Sequence, residues 1–160
     1  MKQGSTLFLK IAVILLGIPV LALCIFLVPE ISNYMGKLYP EMPFLKYLVY
    51  TGLYATAIPY YFALYQSFKL LTYIDKNNAF SELSVKALKT IKNCAITISV
   101  FYVLDMPLFY LFAEQDDAPG VIVVGMVMIF ASMVIAVFAA VLQRLLQEAI
   151  NIKSENDLTV

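Results

Sequence analysis

Ile11 to Val28 reads IAVILLGIPVLALCIFLV, a run without one charged residue. The hydrocarbon core of a bilayer is about 30 Å thick and takes about 20 helical residues, because backbone N–H and C=O groups in lipid must bond within their own segment. The run is close to that length, and it has companions. Tyr47 to Phe68 and Ala118 to Gln143 are also uncharged, and Asn93 to Ala113 is interrupted only by Asp105. The pattern predicts an all-α polytopic membrane protein: one four-transmembrane-helix bundle over 1–160, with spans at about 8–28, 47–70, 90–113 and 118–143.

Composition agrees. Of the 160 residues 62% are hydrophobic and 14% charged, where soluble domains carry about 25% charged residues. Lys2 and Lys10 before the first run resemble the start of a signal peptide, but the run is long for one. Leu23 is also bulky where a lipoprotein box before Cys24 needs a small residue, so the segment reads as a retained helix.

Orientation follows from the cations. Lys69, Lys76, Lys86, Lys89 and Lys92 lie between spans two and three, Lys2 and Lys10 precede span one, and Arg144 and Lys153 follow span four. Only Lys37 and Lys46 fall on the other side. The positive-inside rule then puts both termini in the cytoplasm. The connection 29–46, with Pro29, Pro40 and Pro43, reads as an extended or short-helical external cap.

The cytoplasmic connection carries its own pattern. Ser81 can cap a helix, Glu82 suits its positive end, and Phe80 can staple onto Val85. Lys86, Lys89 and Lys92 share one face of the 77–92 segment, with Leu83, Ala87, Leu88 and Ile91 opposite. This basic amphipathic helix reads either as an interface helix meeting anionic headgroups or as a docking surface for an acidic cytosolic partner. Past span four, Leu142, Leu145, Leu146, Ala149 and Ile150 extend a helical stripe into an acidic tail over 144–160.

Asn77-Asn78-Ala79-Phe80-Ser81 running into Leu88-Lys89, and Ala149 through Lys153-Ser154-Glu155-Asn156-Asp157-Leu158-Thr159-Val160, resemble an uncharacterised family of small bacterial four-span membrane proteins. The resemblance covers essentially the whole chain. That family tends to have proline before the phenylalanine, and Ala79 departs from it. The resemblance implies a bacterial inner-membrane setting and a gene often beside one for a small helix-turn-helix regulator. It brings no catalytic residues.

Inside the spans, chemistry is sparse. There is no histidine, which removes the commonest metal ligand and neutral-pH base. Cys24 and Cys94 form neither a disulfide framework nor a C-x-x-C pair. No catalytic residue, metal site or cofactor is expected, and zero net charge offers no field for direct nucleic-acid binding. Asp105 is the one ionisable residue within a span, and such a carboxyl is a functional-site hypothesis by default; the competing reading makes Asp105-Met106-Pro107 a helix break near the outer interface. Tyr47, Tyr50, Tyr54, Tyr61 and Tyr65 form a seam along span two, with Gly52, Thr56, Pro59 and Ala63 on the opposite, close-packing face. By depth, Asp105 should face span two and accept a hydrogen bond from Tyr50 or Tyr54, or from water beside them. Gly125, Ser132, Ala136 and Ala140 give span four a second close-packing seam, within one chain or between copies. The expectation is a non-enzymatic regulatory, signalling or immunity-type binding protein; the alternative is an oligomeric proton-coupled transporter or channel subunit using Asp105.

Overall fold

The computed structural model describes residues 3–159; Lys2 and Val160, both used above, lie outside them. The elements are α1 (Gln3–Ala22), a π-helical turn (Leu23–Leu27), α2 (Val28–Leu38), α3 (Phe44–Asp75), α4 (Glu82–Gln115) and α5 (Gly120–Thr159). Among the described residues there is no strand. Three stretches are long and apolar enough to cross a membrane: Thr6–Leu38, Glu82–Gln115 and Gly120–Leu158. The fourth long helix, α3, is not among these, and it is the one that carries the polar hydroxyls of the tyrosine seam.

The first helix does not stop where its uncharged run does. It continues through Pro29 to Leu38, so most of the expected 29–46 cap is helix. Proline has no N–H and cannot sit in an unperturbed α-helix without freeing a carbonyl. Here the chain widens into a π turn, in which the Val28 N–H bonds Leu23 O, and such turns are one way a helix absorbs an interruption. The next carbonyl in that register, Cys24, stands opposite Pro29, which has no N–H to give it. The Tyr54 hydroxyl of α3 donates to it at 2.8 Å.

Helix ends follow local chemistry. Asn77 (φ 60°) ends α3 and Asp117 (φ 50°) ends α4 in the left-handed region, where Asn and Asp are tolerated better than most residues. The paired bonds Asn78 N–H to Tyr73 O and Asn77 N–H to Ile74 O close α3 as a Schellman motif. Ser81 occupies the N-cap position of α4 with extended backbone, but its hydroxyl donates back to Asn78 O instead of accepting from the helix. Phe80 is exposed rather than stapled. The basic segment and span three are one uninterrupted helix, and so are span four and the tail.

Packing is serial. The first helix packs on α3, α3 on α4, and α4 on α5, while no Cα of α1, α2 or α3 comes within 8 Å of α5. The bundle is therefore open: its first and last helices face each other across a gap. A cluster of Met35, Leu45 and Val49, joined by Ile31, Leu108 and Phe112, sits at the end carrying Asp116. The opposite, lysine-rich end is tied by Lys10 Nζ to Asp75 Oδ2 at 2.7 Å.

Candidate functional site

The gap between first and last helices is a cleft of about 410 Å³. Leu23 and Met35 wall it on one side and Val121, Val124 and Met128 on the other. Gly52 and Leu53 of α3 and Tyr102, Asp105, Phe109 and Phe112 of α4 form its floor. The lining is apolar apart from Asp105 and the Tyr102 hydroxyl. Toward the Asp116 end, α2 leans onto α4: the Tyr34 ring lies 5.7 Å from that of Phe112, and its hydroxyl donates to Asp116 at 2.5 Å.

Asp105 is buried, with 8% of its surface exposed. Its Oδ2 meets no hydrogen-bond donor. The carboxyl lies against the backbone of α3 at Gly52: a Cβ there would stand 2.5 Å from Oδ1, far inside contact distance. Gly52 thus makes room for the acid. Asp105 does face α3, but not its tyrosines. Tyr54 gives its hydroxyl to Cys24 O, and Tyr50 stacks on Tyr54 at 6.0 Å. The reason is azimuth. Gly52 and Tyr54 are two residues apart, about 200° around a helix, so one face cannot offer both.

Of the tyrosine seam, Tyr61 bonds α1, as does Tyr60 beside it, while Tyr54 bonds the π turn. Tyr60 and Tyr61 donate to Leu16 O and Gly17 O, each at 2.7 Å, near Pro19. Tyr47 and Tyr65 remain exposed. On the opposite face, Thr56 is buried with its hydroxyl on Leu53 O at 2.7 Å; Ala63 is half-buried. On α5, Gly125, Ser132 and Ala136 are buried and Ala140 is half-buried, with Ala139 completing the seam. It lies against α4: a Cβ at Gly125 would stand 2.6 Å from the Phe109 ring and 2.7 Å from Met106 Sδ.

At the lysine end, Lys86 and Lys89 are exposed and Lys92 is half-buried, with Ser84, Val85, Ala87 and Leu88 buried on the other face of α4. Leu83, placed on the apolar face by its register, is exposed. Gln147 Nε2 of α5 donates to Glu82 at 3.2 Å, which keeps the start of α4 beside the extended end of α5. The Lys10 ammonium, and after it the Thr6 hydroxyl, hold the Asp75 carboxyl below its usual range.

The sequence reading missed the cleft itself, the ring wall of Tyr102, Phe109 and Phe112, and the Lys10–Asp75 tie. A signal for the first existed: Asp105 and Gly52 are an acid and a gap at matching height on consecutive long helices.

A family model described as "Protein of unknown function (DUF2975)" matches residues 30–160. The chain is similar, at 71% identity over 160 residues and the full length of both proteins, to "Uncharacterized membrane protein YoaS" of Bacillus subtilis (strain 168). No solved structure matches it.

Proposed function

The chain belongs to the DUF2975 family of proteins of unknown function, and from that premise we propose a four-span protein of the bacterial cell membrane that works by binding rather than catalysis. Both termini lie in the cytoplasm, so the lysine end is inner and the Asp116 end outer. Support for four spans is the length of α3, 32 residues or about 48 Å at helical rise, and its antiparallel packing between two helices apolar enough to cross. Its tyrosines lower its apolarity, yet three give their hydroxyls to carbonyls of the first helix, Leu16 and Gly17 in α1 and Cys24 in the π turn. Partner helices can satisfy polar groups in lipid in this way.

The single observation that carries a binding role is the cleft with one unpartnered carboxyl. An apolar pocket of about 300–1,000 Å³ with few polar groups is the usual form of a small-molecule site. Asp105 has no second carboxyl, thiol or amine beside it in the lining, as acid–base or nucleophilic chemistry would call for. We assign the protein a regulatory, signalling or immunity-type role, with Lys86, Lys89 and Lys92 turned to headgroups or to an acidic cytosolic partner. The same acid keeps a second reading in view, an oligomeric proton-coupled transporter.

A photoreactive residue at Val124 in the cleft, with Val137 on exposed α5 surface as control, tests the proposal in native membranes. A discrete adduct from Val124 alone supports binding; bulk lipid from both positions refutes it. The transport reading demands that Asp105→Asn abolish proton-dependent flux in liposomes, since asparagine cannot titrate.

A further inference from the structure

Resting on that binding reading, we propose that the cleft takes a small amphiphilic monocation, an ammonium group on an apolar body, with the ammonium at the Asp105 carboxyl in the cleft lining and the body lying between the first helix and α5.

Three observations narrow the occupant to this class. The first is the acid. Asp105 is nine-tenths buried and Oδ2 has no donor within the protein, whereas a buried polar group without a partner is costly and rarely tolerated without a use. Oδ2 has almost no accessible surface, so a ligand N–H supplies the missing bond once the carboxyl turns from Gly52 toward the cleft, and a cation makes it a charge-assisted one. The second is the wall. Tyr102, Phe109 and Phe112 line the same cleft as Asp105, and aromatic rings attract alkylammonium groups that have left water. The third is what the lining lacks. No lysine or arginine borders the cleft. A zwitterionic phospholipid headgroup would bring a phosphate with nothing to pair it, and an anionic amphiphile would meet only another anion. Net single positive charge is the complement that remains.

Size excludes a partner's transmembrane helix. A helix about 10 Å across fills roughly 400 Å³ in one turn, so the 410 Å³ cleft holds about one turn. A single alkyl chain or a few rings fits.

The test uses the full chain in phosphatidylcholine nanodiscs, with dodecylamine as probe and dodecanol as its neutral counterpart. Saturable one-site binding of the amine is expected, with no saturable binding of the alcohol. Asp105→Asn should weaken the amine about tenfold or more, the scale of a lost charge-assisted bond. Val124→Trp, which fills the cleft from α5 and leaves the acid intact, should abolish binding and decides the matter if the Asp105 variant does not fold. Equal binding of amine and alcohol, or wild-type amine affinity in either variant, overturns the proposal. Loss of amine binding in phosphatidylethanolamine nanodiscs would make the lipid headgroup the occupant and overturn it too. If the amine never binds while Val124 still captures a discrete ligand in native membranes, this ligand class is wrong and the binding reading stands.

Discussion

Pro29 cannot give a backbone donor to Cys24 O, and Tyr54, 30 positions along the chain from that cysteine, supplies one. Interhelical hydrogen bonds in membranes contribute modestly, about 0.6 kcal/mol on average and up to about 2. Tyr54→Phe should therefore destabilise the protein by about 1 kcal/mol. Pro29→Ala supplies an N–H in the same region, so Tyr54→Phe should cost measurably less in that background. Unfolding of the four proteins in mixed micelles gives the coupling; full additivity would mean that Tyr54 does not compensate for the proline. Gly52 makes the second residue-scale case. Adding a methyl drives it onto the Asp105 carboxyl, and overpacking of this kind costs about 1–3 kcal/mol. Gly52→Ala should cost that much in the native chain and far less when Asp105 is already Ala, again by micellar unfolding. Much of this was legible in the sequence. Tyr54 and Asp105 do lie at similar depth, and Gly52 was already on the small face of span two. Depth comes from counting along a helix, whereas the partner of a side chain depends on rotation as well. Only the packing shows that α3 turns its tyrosines to α1 and its small face to α4.

At the scale of elements, uncharged runs located the long helices but not their true ends. The lysine face at 86–92 and the apolar start of span three read as two segments because charge changes there, yet α4 runs unbroken from Glu82 to Gln115. Nothing between Asn93 and Ala95 can stop a helix: there is no Gly or Pro, and the i to i+4 ladder passes from water to lipid without interruption. Continuation of the first helix past Pro29 was harder to see, since the carbonyl standing opposite the proline is met by a hydroxyl from another helix. The tie between α1 and α3 adds a contact that hydropathy cannot reveal, because Lys10 and Asp75 each end an apolar run. Lys10 holds the folded-state pKa of Asp75 below its unfolded value. The resulting stabilisation is fully present above the unfolded carboxyl pKa of about 3.9 and is lost as pH falls through the lower folded value. Asp75→Asn should be less stable than the native protein at pH 7, with the gap closing in acid. Both side chains are a fifth exposed, so solvent screening keeps the gap small. A pH-independent gap in micellar unfolding would assign Asp75 a packing role instead.

The whole molecule is a folded row rather than a closed bundle, and the physics of lipid explains why that is tolerable. Apolar side chains gain little by leaving lipid for one another, so helices associate through close packing and polar contacts. The small-residue seam of α5 and the gap at Gly52 concentrate such contacts along α3–α4–α5, while the first helix attaches through tyrosine hydroxyls. Among the described residues the first helix does not come into contact with α5, and the cleft is the consequence. That absence was not legible in the sequence, because a seam shows where helices can meet and not where they fail to. Orientation is the property of the whole chain that every depth statement depends on. Lys69, Lys76, Lys86, Lys89, Lys92, Arg144, Lys153, Lys2 and Lys10 belong to one side of the proposed arrangement, and Lys37 and Lys46 to the other. The bias of cations in short loops directs insertion, and nine of the eleven cations fall on one side. Lys10 is paired with Asp75, but acidic residues weaken the effect of cations little, so the bias stands. Fusions of a paired alkaline phosphatase and fluorescent reporter at Asn78 and after the last residue should report cytoplasm, and fusions at Gly36 and Asp117 should report the outside. The Gly36 position is the sharpest of these, because it lies within the helical continuation past Pro29 and must emerge with Tyr34 and Asp116. An external signal at Asn78 would invert the molecule and place the opening of the Asp105 cleft nearer the cytoplasm. A cytoplasmic signal at both Gly36 and Asn78 would remove α3 from the bilayer, leaving the three helices whose apolarity alone suffices to cross it.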